Sequence, residues 1–175
     1  VRAWSQGKPD LAHDLPPGSG KTTAELESPK AKLDALVEIA KFESEDLGAD
    51  LRMVMLTDHI YLELLPTTEY DRTELTKVGT VPVFETLRRQ TNTLYEGDLA
   101  LLTGSLVIIP KAAESRLLEL AYEELPTERV IRTKPLFENS RYVIVNTGGL
   151  ANKYSVGWIT QLFTEGLIRI IVGTK

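Results

Sequence analysis

The stretch LRMVMLTD, residues 51–58, decides the fold class of this chain. Its apolar residues follow one another without the polar alternation of a strand that has one face in water. Such a run is typical of a strand buried on both faces, in a parallel sheet covered by helices. The segment before it, residues 28–48, predicts one of these helices, because Ser28 is a suitable N-cap, Pro29 takes the first helical position and Gly48 ends it.

Helical and extended patterns continue to alternate along the rest of the chain. Helices are predicted over 81–90 (opened by Thr80 and Pro82), 111–125 and 152–166, and strands over 99–110, within 128–146 and over 167–173. The strand region 99–110 is interrupted at Gly104–Ser105, so it is either one bent strand or two short ones. Apolar faces are predicted from Leu33, Leu36, Val37 and Ala40 in the first helix, and from Leu117, Leu118, Ala121 and Leu125 in the third.

This alternation predicts an α/β fold, specifically a three-layer sandwich with a mostly parallel central sheet. A turn around Pro135 and Asn139–Ser140 predicts an antiparallel hairpin near 128–146, which could be an insertion. Residues 1–27 are expected to be an irregular lead-in and residues 28–175 a single domain, for which 175 residues supply enough core.

Composition excludes several kinds of function. The chain has no Cys and two His, which excludes disulfides, thiolate metal sites and a His-rich metal site, so no metal ligand is assigned. The formal charge of −5 argues against a nucleic-acid binder driven by its own basic surface. No apolar run is long enough to cross a membrane, and no N-terminal signal segment is visible, so an intracellular protein is expected, cytoplasmic or nucleoid-associated.

Small hydroxyl residues and glycines follow several of the predicted strands. They are Thr57–Asp58, Thr103–Gly104–Ser105, Asn146–Thr147–Gly148–Gly149 and Gly173–Thr174. Ligands of open α/β sheets gather at the carboxyl ends of the strands, where such residues offer neutral donors to phosphate oxygens. The alternative is ordinary turn chemistry, since these residue types dominate turns in general.

The segment LPPGSGKTT, residues 15–23, spells the end of a Walker A phosphate loop. A nucleotide site here would use Gly18, Ser19, Gly20, Lys21 and Thr22, with Asp58 as the acidic residue after a strand. Three features depart from that motif. Leu15 stands where the first Gly belongs, the segment before it is polar rather than a strand, and Pro29 interrupts the helix that should follow.

The order of segments resembles the second RecA-like lobe, or helicase C-terminal domain, of a superfamily-two DEAD/DEAH-type helicase. LRMVMLTDHI resembles its first strand, motif IV; FETLRRQ falls where motif IVa lies; and ALLTGS resembles the next strand. WITQLFTEGLIRIIVGTK resembles the helix, Gly turn and strand that open motif V, within which the sequence stops. The resemblance covers about residues 28–175.

The resemblance implies a set of nucleic-acid-binding residues. By position in the motifs they are Thr57, Asp58, Arg88, Arg89, Gly104, Ser105 and Thr174. For Arg88 and Arg89 the alternative is a favourable contact with the end of their own helix and a solvated face. Tyr142, Trp158 and Phe163 are expected to be core residues rather than groups that stack on bases.

The resemblance also implies how such a lobe works. ATP and Mg²⁺ bind between two lobes, the first of which is expected to lie outside this sequence, so the fragment has no catalytic residue or cofactor of its own and is expected to be inactive alone. Its expected partners are that first lobe and nucleic acid, DNA in preference to RNA. Two alternatives stay open: a self-contained phosphate-loop NTPase or kinase that uses residues 15–23, and a non-catalytic α/β interaction domain.

Overall fold

The computed structural model describes residues 28–90, 99–125, 131–146 and 151–174. Four helices and six strands lie in these ranges. In chain order they are α1 (Pro29–Leu47), β1 (Met53–Thr57), α2 (Thr80–Arg88), β2 (Leu99–Leu102), β3 (Val107–Pro110), α3 (Glu114–Glu124), β4 (Arg132–Pro135), β5 (Tyr142–Asn146), α4 (Ala151–Glu165) and β6 (Ile170–Thr174). The lead-in 1–27, with the candidate phosphate loop 15–23, lies outside the described residues, and so do Thr147, Gly148 and Gly149 of the predicted strand-end group.

The six strands form one mixed sheet in the order β1-β6-β2-β3-β5-β4. β1, β6 and β2 are parallel neighbours, whereas β2–β3, β3–β5 and β5–β4 pair antiparallel. Four strands therefore share one direction and β3 and β4 run against them. The α/β class and the hairpin near 128–146 are confirmed, and the interruption at Gly104–Ser105 separates two strands of a second hairpin.

Helices cover both faces of the sheet. Side chains of α1 and α2 pack with one set of strand residues, which includes Leu101 and Val172. Side chains of α3 and α4 pack with the residues that point the other way, such as Ala100 and Ile171. Adjacent residues of β2 and β6 thus belong to opposite clusters, which explains why these strands are apolar on both faces.

The ends of the first and last helices follow from local sequence. Ser28 Oγ accepts a hydrogen bond from the backbone N–H of Ala31 at 3.2 Å, and Pro29 occupies the first turn of α1. α4 ends at Gly166, whose φ of +83° lies in the left-handed region that favours glycine. Among the described helices, none combines the length and the hydropathy needed to cross a bilayer.

Candidate nucleic-acid interface

The carboxyl ends of three neighbouring strands lie side by side at one edge of the sheet. Thr57, the last residue of β1, is paired with Thr174 of β6. Leu102 of β2 is paired with Gly173, so Thr103 follows β2 at the level of Thr174. We name this region the threonine edge, and define it as Thr57, Asp58, Thr103, Gly104, Ser105 and Thr174. It unites five of the seven residues that the sequence assigns to nucleic-acid contact.

The β1 end of the threonine edge is fastened to the first turn of α2. The hydroxyl groups of Thr57 and Thr80 lie 2.8 Å apart, and each lies 3.2 Å from the carbonyl oxygen of His59. Because a hydroxyl group has one proton, one threonine donates to the carbonyl and the other donates to the first hydroxyl. Thr80 is buried and Thr57 is half-buried. Thr57 therefore has a fixed position at the sheet edge, which it owes to a residue 23 positions further along the chain.

The N-terminus of α2 points its backbone donors at protein atoms rather than at a ligand position. The N–H of Thr80 donates to the His59 carbonyl at 2.7 Å, and that of Val81 donates to the Ile60 carbonyl at 3.1 Å. This approach is so close that a Cβ at Gly79 would lie 2.7 Å from the His59 carbonyl oxygen. The helix end therefore closes the loop after β1 and is not an anion site.

The β2–β3 hairpin forms the other end of the threonine edge. Thr103 Oγ1 accepts hydrogen bonds from the backbone N–H groups of Ser105 (3.3 Å) and Leu106 (2.8 Å), and it lies 3.0 Å from the Leu106 carbonyl, to which it donates. The buried threonine side chain thus organises the turn. Gly104 and Ser105 at its tip are exposed, so they are the members of the edge that face solvent most directly.

Arg88 and Arg89 lie away from the threonine edge. They stand at the C-terminal end of α2, whereas Thr80, which contacts the edge, stands at its start. Eight residues of α-helix separate the two positions by about 12 Å. The structure therefore does not bring these two arginines together with the strand-end residues, although the sequence grouped them.

Both arginines instead converge on one buried carboxylate. Glu85 is fully buried and Arg88 is 3% exposed; Arg88 Nε lies 2.7 Å from Glu85 Oε2 and Nη2 lies 3.0 Å from Oε1. Arg88 Nη1 also donates to Glu69 Oε1 at 3.0 Å, and the guanidinium carbon lies 5.1 Å from the ring centre of Phe137. Arg89 Nε donates to Glu85 Oε1 at 2.8 Å.

The charges of this network balance within the protein, since Arg88 and Arg89 are paired with Glu85 and Glu69. Burial by itself lowers the pKa of Arg88, but the hydrogen bond and charge of Glu85, and then Glu69, outweigh burial and raise it from its ordinary value. The guanidinium stays charged and its donors are directed at carboxylates. In this conformation Arg88 is enclosed by protein, which counts against a direct contact with phosphate and against the alternative of a solvated helix face.

Sequence reasoning missed the role of Glu85 and of the loop before α2. Two groups of that loop accept hydrogen bonds from the arginines: Glu69 Oε1 from Arg88 Nη1, and the Thr73 carbonyl from Arg89 Nη2, each at 3.0 Å. A signal was present, since Glu85 precedes the arginines by three and four positions, the spacing of neighbours on a helix surface. What the spacing cannot indicate is that this helix face is buried.

Asp71 organises the same loop. One carboxylate oxygen accepts from the backbone N–H (3.0 Å) and the hydroxyl (2.7 Å) of Thr73, and the other accepts from the N–H of Thr67 (3.2 Å). These bonds, led by the Thr73 N–H, lower the pKa of Asp71 to about 2. The Asp71 carboxylate therefore stabilises the turn in which Glu69 and Thr73 lie, and both of these residues contact the arginines of α2.

We expect the Asp71 carboxyl group to titrate with a midpoint near pH 2, in a carbon-detected NMR titration. Because its pKa is lower in the folded chain than the roughly 3.9 of an unfolded one, its contribution to stability is complete above about pH 4 and is lost as the pH falls through 2. Asp71→Asn should remove this part of the acid dependence. A midpoint near 4 would contradict the hydrogen-bonded turn.

Comparisons with protein-family models, with curated proteins and with solved structures find no match to this chain. Over the ranges that the structure describes, no group of three or more His, Asp or Glu side chains is placed to hold a metal ion. The geometry of the threonine edge is therefore the feature from which a function can be inferred.

Proposed function

We propose that this chain is the second RecA-like lobe of an ATP-dependent helicase or translocase, and that its threonine edge contacts the backbone of nucleic acid. The observation that carries the proposal is the adjacency of β1, β6 and β2. Three segments far apart in the sequence place their strand-end hydroxyl groups and a glycine in one row. Strand carboxyl ends are where ligands of open α/β sheets bind.

The chemistry of the threonine edge suits a neutral contact with phosphate. Hydroxyl and backbone N–H groups donate hydrogen bonds to phosphate oxygens and carry no base specificity. Because the hydroxyls of Thr57 and Thr103 are bonded within the protein and position the edge, this role falls to the exposed Gly104, to the Ser105 hydroxyl and to Thr174. With Arg88 turned inward and 25 acidic against 20 basic residues in the chain, few counterions would be released on binding. We therefore expect weak binding with a shallow dependence on salt.

In this proposal the chain needs a partner lobe for its reaction. The partner would supply the phosphate loop and the acidic Mg²⁺ site, and ATP would bind between the two lobes. A single strand of DNA, ahead of RNA, is the proposed track, held by hydroxyl and amide donors while the cleft opens and closes. The described residues of this lobe act as one of two grips on the strand, and the lobe alone would not hydrolyse ATP.

A new carboxylate at the edge should weaken the contact. Ser105→Glu places a negative charge at the exposed hairpin tip, where it would repel a phosphate, and we expect binding of a fluorescent single-stranded oligonucleotide to weaken about tenfold, or about 1.4 kcal/mol. Fluorescence anisotropy at low salt measures this change. The hairpin itself should persist, because the turn is held by Thr103 and the Ser105 backbone N–H.

The matched control is Ala112→Glu. Ala112 is also exposed, but it follows the carboxyl end of β3, which runs opposite to β2 and therefore ends at the other edge of the sheet. The same charge change there should leave binding within about twofold. Equal losses for the two variants would show a general charge effect, and no binding by the unmodified chain to DNA or RNA would remove the support for this function.

A further inference from the structure

The two outer strands of the described sheet differ in how they are protected. β4, with the sequence RTKP, carries two basic residues and a proline, which discourage pairing with another strand. β1, with the sequence MVMLT, carries none of these guards. Within the described residues β1 pairs with β6 alone, so over these ranges its other side is an edge without a partner strand.

β1 is apolar on the face where the covering helices stop short of it. Val54 is 53% exposed and Leu56 is 56% exposed, although Met55, which points to the α1 side, is buried. Next to this edge lies an open groove of about 480 Å³ between α1 and β1, whose lining includes Ile39 and Leu47 of α1. Both of these side chains are themselves exposed, so apolar side chains flank the edge of β1 on both faces of the sheet.

The backbone of β1 presents its hydrogen-bonding groups at alternate residues. The N–H of Met53 donates to the Arg169 carbonyl beside β6, at 2.9 Å. In a parallel pair the N–H and C=O of one residue point to the same side, so those of Met53, Met55 and Thr57 face β6. The corresponding groups of Val54 and Leu56 face the edge.

We infer that this edge pairs with β1 of a second copy of the chain, antiparallel and about a two-fold axis at Met55. In that register Val54 lies opposite Leu56 of the other copy, and these are the residues whose backbone groups face outward. Each Val54–Leu56 pair is therefore a hydrogen-bonded pair of the antiparallel ladder. Two such pairs, related by the two-fold axis, make four backbone hydrogen bonds. Met55 then meets its own counterpart in the pair without hydrogen bonds.

Charge complementarity supports this register over others. The next hydrogen-bonded pair on each side of the axis would place Arg52 opposite Asp58 of the other copy. The two-fold axis generates this pair twice. Both residues are exposed, and the alternation of an extended chain assigns them to the Val54 and Leu56 face. The Arg52 guanidinium donates to the Ala49 and Leu51 carbonyls and stands 5.9 Å from the Phe163 ring centre of α4. A two-fold interface must be complementary to itself. In this register apolar Val54 meets apolar Leu56, their outward backbone groups bond to each other, and basic Arg52 meets acidic Asp58.

The first test measures the mass and its dependence on one side chain. Analytical ultracentrifugation of the chain at 1–100 µM should show a species of twice 19.5 kDa. Val54→Lys should weaken dimerisation at least tenfold, because it brings a charge opposite Leu56. Val156→Lys is the matched control, since Val156 lies on α4 with the same 53% exposure and should have no effect. Circular dichroism confirms that both variants fold.

The second test examines the register of the strand pairing and whether a second copy of the chain is what covers the β1 edge. Arg52→Asp and Asp58→Arg should each weaken the dimer, and the two changes in one chain should restore it, because the opposed charges are exchanged. Hydrogen exchange of the Val54 and Leu56 amides should slow as the protein concentration rises. A monomer at 100 µM, equal effects of Val54→Lys and Val156→Lys, or amides protected in the monomer by another part of the same chain would each overturn the inference.

Discussion

Glu85→Ala is expected to lower the free energy of unfolding by about 3–5 kcal/mol, the largest effect that we predict for an ionic residue in this chain. Glu85 is fully buried and its carboxylate accepts hydrogen bonds from Arg88 and Arg89. Its removal leaves the enclosed guanidinium of Arg88 short of its principal counter-charge, with the partly exposed Glu69 as its remaining carboxylate partner. Urea denaturation followed by circular dichroism measures the change.

The matched control is Glu119→Ala. Glu119 also bonds to an arginine three positions away on a helix, but Glu119 is exposed, Arg116 is only half-buried, and Arg116 keeps Glu165 as a second partner. Exposed pairs contribute little, so the loss should stay below about 1 kcal/mol. Similar losses for Glu85→Ala and Glu119→Ala would show that the α2 network behaves as a surface network.

A second variant separates the buried charge from the lost packing. Adding Arg88→Met to Glu85→Ala removes the guanidinium and keeps an apolar side chain of comparable length. Because an uncompensated buried charge costs more than a neutral pair, the double variant should recover at least half of the loss. If it recovers nothing, the cost of Glu85→Ala lies in the cavity or in the freed Arg89, and our account of the network is wrong.

This network marks the limit of what the sequence could indicate about the site. The sequence assigned Arg88 and Arg89 to phosphate because of their place in a motif, and the spacing to Glu85 was equally visible. The deciding quantity is burial, which depends on how the loop carrying Glu69 folds over α2. That loop lacks a periodic pattern, so its path cannot be derived from local residue preferences.

The threonine edge shows the opposite case. Strand-end hydroxyl residues such as Thr57 and Thr174 could be identified, because apolar runs and the residues that end them are local signals. Their adjacency could not, since β6 lies between β1 and β2 in the sheet although it comes last in the chain. This strand order is set by pairing between residues 117 positions apart for β1 and β6 and 71 positions apart for β2 and β6, and local sequence patterns do not indicate which distant strands pair.

The predicted cap and buried faces of the helices are confirmed in part. The N-cap at Ser28 and the buried Leu33 and Ala40 of α1 are confirmed. Leu118 was expected to share the buried face of α3 with Leu117, but it is exposed. Neighbouring helical residues point about 100° apart, and the sheet covers only the arc that holds Leu117 and Ala121, so Leu118 falls at its margin.

Phe84→Ala is expected to destabilise the fold by about 3–5 kcal/mol through the cavity that it leaves. Phe84 is fully buried on α2, and its ring meets that of Tyr142 on β5 edge to face, with centres 5.4 Å apart. Neither the helix nor the strand is free to collapse into the space, because both are held by the sheet. Phe84→Leu, which fills most of the volume, should lose less.

The same substitution at Phe42 provides the control. Phe42 lies on α1 and is 69% exposed, so Phe42→Ala should change the free energy of unfolding by no more than about 0.5 kcal/mol. Comparable losses at Phe84 and Phe42 would contradict the assignment of α2 to the core. Urea denaturation of both variants, with the unmodified chain as reference, measures the difference.

A double-mutant cycle then tests whether the β4–β5 hairpin is an appendage or part of the domain. Phe84, Phe137 and Tyr142 belong to one buried cluster. Phe137 and Tyr142 lie in the β4–β5 hairpin, for which the sequence allowed an insertion into the domain as one interpretation. We therefore expect Phe84→Ala and Tyr142→Leu to couple by about 0.5–1.5 kcal/mol. Additive losses would mean that the hairpin can separate from α2, whereas coupling means that the hairpin folds together with the rest of the sheet.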